Sequence, residues 1–206
     1  MVAARVLTDL EQVLLAMICT VPCSGYELKQ RLSTTPMGVY KPSSGSLYPA
    51  LRRLERRGLL RAQRSRAHQA TARPTRVYEP TTMGRAAHLA WVRAPLDPAS
   101  ISPQLGMHLL RFVMMEPLVD RHETLAFLRS FEQAMAAFVD RLERSAAGSE
   151  RLGRHAVLAL DHGVAVHRAS LEWARRTIAH LDAVASPPIK PERRQRLNGR
   201  QQHSKP

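Results

Sequence analysis

Arg52, Arg53 and Arg56 are interleaved with Leu47, Ala50, Leu51 and Leu54 in the stretch Ser43 to Gly58. At about 100° per residue the apolar residues fall on one side of a helix, with Pro49, Arg52 and Arg56 opposite and Tyr48 and Arg53 flanking them. A guanidinium offers a planar fork of N–H donors that fits phosphate oxygens and the O6/N7 edge of guanine. A helix that buries its leucines and turns such forks outward suits a nucleic-acid groove. Ser44 and Ser46 add hydroxyls and backbone N–H groups for a phosphate at the helix start, and Lys41 stands just before them. Arg52 and Arg53 are the candidates for base edges, where one bidentate contact discriminates by ~1–3 kcal/mol. Arg56, Arg64, Arg66, Arg73 and Arg76 are assigned to phosphates, which supply affinity without sequence reading. Tyr48 suits either the DNA backbone or half-buried packing.

These side chains need a scaffold, and the flanking sequence spells one. Thr8-Asp9-Leu10-Glu11 is a capping box. It opens a helix with Leu10, Val13, Leu14, Met17 and Ile18 on one face, which Pro22 stops. Ser24-Gly25-Tyr26-Glu27 repeats the device for a short helix reaching about Leu32. Proline is tolerated in a first turn, so Pro49 places the start of the third helix near Gly45 or Ser46. Gly58 is its natural stop. Leu59-Leu60 and Thr75 to Glu79 then pair as strands around an arginine-rich arm, Arg61 to Pro74. Thr81 or Thr82 caps a fourth helix that Pro95 and Pro98 end. Short helices followed by a strand pair describe a winged helix-turn-helix, whose third helix enters the major groove.

Ala94 to Pro103 reads as a hinge. The expected division is a winged helix-turn-helix DNA-binding domain over 1–100, a helical dimerisation domain over 101–186 and a disordered basic tail over 187–206. The fold class is mainly α with a small β-hairpin. In the second unit, Val157, Leu160, Val164, His167, Leu171, Ala174, Ile178 and Leu181 alternate steps of three and four, a coiled-coil seam. A seam of this length demands a partner helix, and a symmetric homodimer is the commonest solution. Residues 117 to 145 of the same chain are the alternative, and both arrangements are compatible in a four-helix bundle.

Charge supports a division of labour. The chain of 206 residues carries a formal net charge of +14. Residues 43 to 80 hold nine Lys and Arg against two Asp and Glu, whereas residues 102 to 186 hold ten of each. One part is equipped for a polyanion, double-stranded DNA above all, and the neutral part for protein. Cys19 and Cys23 are the only cysteines, so no disulfide framework is implied. Neither a signal peptide nor a long apolar run is visible, and a cytoplasmic protein without a membrane partner is expected.

With these residues the chain resembles the PadR family of bacterial transcriptional regulators. The resemblance is carried by Ser24-Gly25-Tyr26-Glu27-Leu28, by the run from Ser44 to Glu55 with its Leu47-Tyr48-Pro49-Ala50-Leu51 centre, by Gly58-Leu59, and by Arg76 to Thr81 with Gly84-Arg85. It covers roughly residues 10 to 90. The second half is similar to the helical dimerisation domain of the larger members, with Glu172-Trp173 at a recurrent position. The resemblance implies a dimeric winged-helix repressor, released from a palindromic operator by a small-molecule effector. Some members bind flat aromatic ligands between paired tryptophans, which makes Trp91 the candidate effector residue beside an ordinary role in packing. The Ala- and Arg-rich wing and the tail after Pro187 depart from the pattern.

Other groups have blander readings. His167 inside the seam is either a proton switch or simply accommodated, and Trp173 beside it is core. Cys19 and Cys23 read as small apolar residues before they read as a thiol sensor. The nine His form no metal spacing, and there is no Gly-rich phosphate loop, nucleophile elbow or pair of acids. Neither catalysis nor a cofactor nor a metal is expected. The rival to a DNA-binding regulator is a non-catalytic helical interaction protein that docks a protein or acidic partner on the same basic surface.

Overall fold

Local capping decides where the first helices begin. In the computed structural model, which describes residues 6–34, 42–64, 76–147 and 153–183, Thr8 opens α1 (Asp9–Thr20). Its Oγ1 accepts from the Glu11 N–H at 3.3 Å, and the Glu11 carboxylate accepts from the Thr8 N–H at 3.0 Å. Ser24 and Glu27 repeat the exchange at 3.2 and 2.7 Å, opening α2 (Gly25–Thr34). Such reciprocal bonds satisfy N–H groups that the first helical turn leaves unpaired.

Ser43 caps α3 (Ser44–Arg56), so this helix starts before the Gly45 or Ser46 that Pro49 indicates, and Pro49 stands inside it. The N–H that Pro49 lacks would have met the carbonyl of Gly45, an exposed residue, so the lost bond falls on backbone open to water. At the other end Leu59 N–H bonds the Leu54 carbonyl and Gly58 N–H bonds that of Glu55, a Schellman closure. It needs a left-handed residue, and Gly58 has φ 68°.

The chain then forms β2 (Leu60–Arg64) and β3 (Arg76–Pro80), antiparallel with Leu60 opposite Pro80. A two-residue strand between α1 and α2, β1 (Cys23–Ser24), adds to the other edge of β3, giving the order β1-β3-β2. The sequence shows the hairpin but not this third strand. Thr81 caps α4 (Thr82–Arg93) by accepting from the Gly84 N–H at 3.0 Å, and its own hydroxyl donates to the Gly58 carbonyl at 2.6 Å. One core beneath these elements holds Leu14, Leu15, Ile18, Leu28, Leu47, Leu51, Leu54 and Leu60, all buried. This is a winged helix on a small antiparallel sheet.

After a 3-10 turn at Pro98–Ser100, α5 (Leu105–Met115) lays Met107 and Leu110 against that first core. Helices α6 (Arg121–Ala147) and α7 (Arg154–Ala183) run antiparallel and enclose a second core of Phe131, Met135, Val139, Leu171 and Ala174. Arg168 meets Glu143 at 2.7 Å, Arg175 meets Glu132 at 3.0 Å and Arg129 meets Asp182 at 3.3 Å. Part of the balanced charge of this half is thus spent on pairs between its own helices. The α7 seam also turns inward: Val164, Leu171 and Ala174 are buried, and Val157, Leu160, His167, Ile178 and Leu181 are half-buried. Periodicity identifies the apolar face of α7, and α6 of the same chain covers much of it. Val164, Leu171 and Ala174 are thus buried within the chain itself. No helix among the described residues is long and apolar enough to cross a membrane.

Candidate nucleic-acid interface

Leu47, Ala50, Leu51 and Leu54 are wholly buried, which fixes α3 by one face. Fixing that face leaves Ser44, Ser46, Tyr48, Pro49, Arg52 and Arg56 exposed on the other. Neither Arg52 nor Arg56 has an acidic partner among the described residues. At the helix start the Ser43 hydroxyl accepts from the Ser46 N–H at 3.2 Å, while the Ser46 hydroxyl donates to the Ser43 carbonyl at 3.0 Å. Lys29, from α2, donates its ammonium to the Ser44 hydroxyl at 2.9 Å. A cation beside an exposed helix N-terminus strengthens its pull on an anion.

Arg53 does something else. Its Nε donates to Glu11 Oε1 at 2.6 Å, and Arg57 Nη1 lies 4.0 Å from the other oxygen of that buried carboxylate. Burial alone would raise the Glu11 carboxyl, but the Arg53 hydrogen bond, the Thr8 N–H and the Arg53 charge outweigh it and hold it below the usual carboxylate range. Without DNA, Arg53 thus clamps α1 to α3 while its side chain stays 42% exposed.

Arg76, at the start of β3, approaches Glu55 at 2.7 and 3.1 Å and lies over the Tyr78 ring, 5.8 Å from its centroid. Arg61 pairs with Glu79 at 2.8 Å. Both remain more than half exposed, so each has N–H groups to spare for phosphate. Between the hairpin and α3, Tyr26, Tyr48, Arg52, Arg76 and Tyr78 surround a cleft of about 250 Å³. Gly25 forms its floor, and a Cβ there would stand 2.6 Å from Tyr48 Cε1. The absent side chain lets the Tyr48 ring lie over the start of α2. Lys29 and Tyr26 were not singled out in the sequence. Their signal was available in the amphipathic pattern of α2, where Leu28 and Leu32 face inward and both of these residues face out. Lys41, Arg66 and Arg73 lie outside the described residues, as does the side chain of Arg64.

The remaining candidates are placed away from this surface. Trp91 is half-buried, stacks on His88 at 5.9 Å and packs against both the first core and the cluster around Val92, Met115, Phe127 and Leu128. Trp173 meets Phe112 and Phe131 edge-on at 5.4 and 5.8 Å. His167 Nδ1 donates to the Gly163 carbonyl at 2.6 Å, which leaves Nε2 to accept from the Ser102 hydroxyl at 3.0 Å. Burial pushes the Cys19 thiol up to about 11 and raises Cys23, so both are thiols at neutral pH.

Residues 14–89 match the model of the transcriptional regulator PadR-like family. The solved structures similar to the chain include Bacillus subtilis PadR in complex with operator DNA, 16% identical over 85% of this chain and 100% of that one with a TM-score of 0.41. Bacillus subtilis PadR in complex with p-coumaric acid is 15% identical over 85% and 99%, TM-score 0.39. A PadR-like transcriptional regulator from Bacillus cereus is 18% identical over 84% and 98%, TM-score 0.35. Among curated proteins none matches.

Proposed function

We infer, from a chain whose residues 14–89 form a PadR-like transcriptional regulator domain, that this protein binds DNA sequence-specifically as a homodimer. In the narrower reading it is a ligand-responsive repressor acting on an inverted-repeat operator in the cytoplasm. The winged-helix unit, residues 1–100, meets the duplex, and the helical unit, 101–186, pairs the copies.

The observation that carries this reading is the pair Arg52 and Arg56, exposed and without acidic partners among the described residues, on a helix whose other face is wholly buried. A rigid platform with unpaired guanidinium groups loses little entropy when it docks. In the complex α3 lies in the major groove, with Arg52 on a guanine edge and Arg56 on phosphate. Ser44 and Ser46, next to Lys29, receive a phosphate at the helix N-terminus. Arg76 exchanges part of its Glu55 contact for the backbone beside the wing, and Tyr48 and Pro49 pack against the sugar edge. Two such units on half-sites about one helical turn apart, about 34–36 Å, read an inverted repeat.

The test is fluorescence anisotropy and footprinting on DNA from upstream of the protein's own coding region. Saturable binding with a steep loss of affinity in salt is expected. Arg52→Ala should lower affinity for the footprinted site roughly 5- to 150-fold, the equivalent of about 1–3 kcal/mol, with far less change on random duplex. Equal affinity for the site, random DNA, RNA and heparin would overturn specific recognition and favour a basic docking surface.

A further inference from the structure

Tyr48, Arg52 and Glu55 follow one another at steps of four and three, so they share one stripe along α3. Tyr48 and Arg52 line the cleft beside the hairpin, together with Arg76. From across that cleft Arg76 donates through Nη2 to both Glu55 oxygens, at 2.7 and 3.1 Å. Arg61, the other hairpin arginine whose side chain is described, is held in the same way. Glu79 accepts from its Nε and Nη2 at 3.1 and 2.8 Å, and from Gln63 at 3.1 Å. On the outer face of α3 the pattern is reversed, because Arg52 and Arg56 have no acidic partner among the described residues. The basic face thus holds two kinds of arginine, open on α3 and tethered on the hairpin.

Glu55 stands where a carboxylate works against DNA. Its side chain is 31% exposed and that of Arg76 57%, so a phosphate that approaches Arg76 also meets the charge of Glu55. Like charges brought together across an interface oppose binding. A pair this exposed adds little to stability, so the fold has small need of it.

We propose that Glu55 is a specificity-determining residue, which withholds Arg76 from phosphate in general and yields it only to a duplex held in register. The assignment rests on the DNA-binding reading above. On a loosely bound duplex Arg76 reaches phosphate only by leaving Glu55 or by drawing the phosphate up to a carboxylate, so its charge counts for little. On the operator, Arg52 and the start of α3 fix the backbone beside the hairpin. Arg76, kept in one orientation by Glu55, then gives up one of its two bonds and turns its free N–H groups to phosphate. Glu55 therefore weakens random binding more than operator binding, which raises the ratio between them.

The test is fluorescence anisotropy of the full chain and of Glu55→Gln, on a random-sequence duplex and on the footprinted site, over a range of salt. Glutamine keeps the shape and removes the charge. Freeing Arg76 adds one cation for phosphate, so the salt slope on random duplex should steepen by about 0.9. The variant's advantage over the parent then grows about eightfold from about 1 M to about 0.1 M salt. At the lower salt the site-to-random ratio should fall at least about threefold. In an Arg76→Gln background, Glu55→Gln should lose most of this effect, because no cation is left to free. An unchanged slope, a ratio that holds or rises, or an effect undiminished in Arg76→Gln would each overturn the assignment. So would equal losses of affinity for both duplexes, the mark of a merely structural role. If the parent itself shows no preference for the site, the specific-binding reading falls and the role of Glu55 with it. A preference in the parent that Glu55→Gln leaves intact removes the inference and keeps the reading.

Discussion

Arg52 and Arg53 are adjacent in the chain but differ in their surroundings, one open to solvent and the other bonded to the buried carboxylate of Glu11. Replacing each has a different expected signature. Arg52→Ala changes stability by less than about 0.5 kcal/mol, as for other surface positions, and shows in DNA affinity alone. Arg53→Met leaves Glu11 buried with Arg57 at 4.0 Å as its nearest cation, a loss of about 1–3 kcal/mol at pH 7. The pH dependence identifies the cause. The folded-state Glu11 carboxyl lies below its ordinary value of 4.5, so the pair adds stability that is complete above that value and is lost as the pH falls through the lowered one. In Arg53→Met the lowering effects of Arg53 are gone while the bonds to Thr8 remain, so the carboxyl rises relative to the parent. On acidification the parent then loses more stability than the variant, and the variant's deficit shrinks between pH 7 and pH 4. Urea titrations at the two pH values check this, and an equal deficit at both would show that the ion pair is not what the substitution removed.

Helix starts were legible in the sequence because a cap is a local event. Thr8 with Glu11, Ser24 with Glu27 and Thr81 with the Gly84 N–H each close within three residues, so the chemistry and its partner are read together. The rule for Pro49 puts the start of α3 one or two residues later than the cap at Ser43 sets it. That cap makes a prediction: Ser43→Ala removes the side-chain acceptor of the Ser46 N–H, leaving it the Ser43 carbonyl at 3.1 Å, and costs about 1 kcal/mol. The change should appear as a lower urea midpoint at unchanged slope, and an unchanged midpoint would mean that α3 is held by its leucines alone. Other features were not legible for a common reason, which is distance along the chain. Glu11 is 42 residues from Arg53, and β1 is a strand only because Tyr78 and Val77 lie beside it. Period marked the apolar face of α7 correctly, but a period carries no information about what covers that face.

At the scale of the molecule, the uneven charge of the chain takes on structural meaning. The arginines of α3 and the wing form the basic face, whereas Arg129, Arg168 and Arg175 of α6 and α7 are paired across the hairpin. A dimer that presents two basic faces to one duplex must therefore join through surface that the hairpin leaves open. On α7 that surface includes Leu158 and Val166, 56% and 40% exposed, beside the half-buried Val157. Exposed aliphatic side chains next to a partly covered seam are the material of a helix-to-helix interface. Leu158→Asp with Val166→Asp should therefore convert a dimer into a monomer, measured as a halved mass by light scattering, with circular dichroism and melting temperature nearly unchanged because neither side chain is buried within the chain. Affinity for an inverted repeat should then fall by about 10²-fold or more, since the second half-site no longer benefits from the effective concentration that pairing supplies. Affinity for a single half-site should stay where it was. A variant that keeps the dimer mass would move the interface elsewhere, and one that becomes monomeric yet keeps full affinity for the inverted repeat would show that the two basic faces act independently.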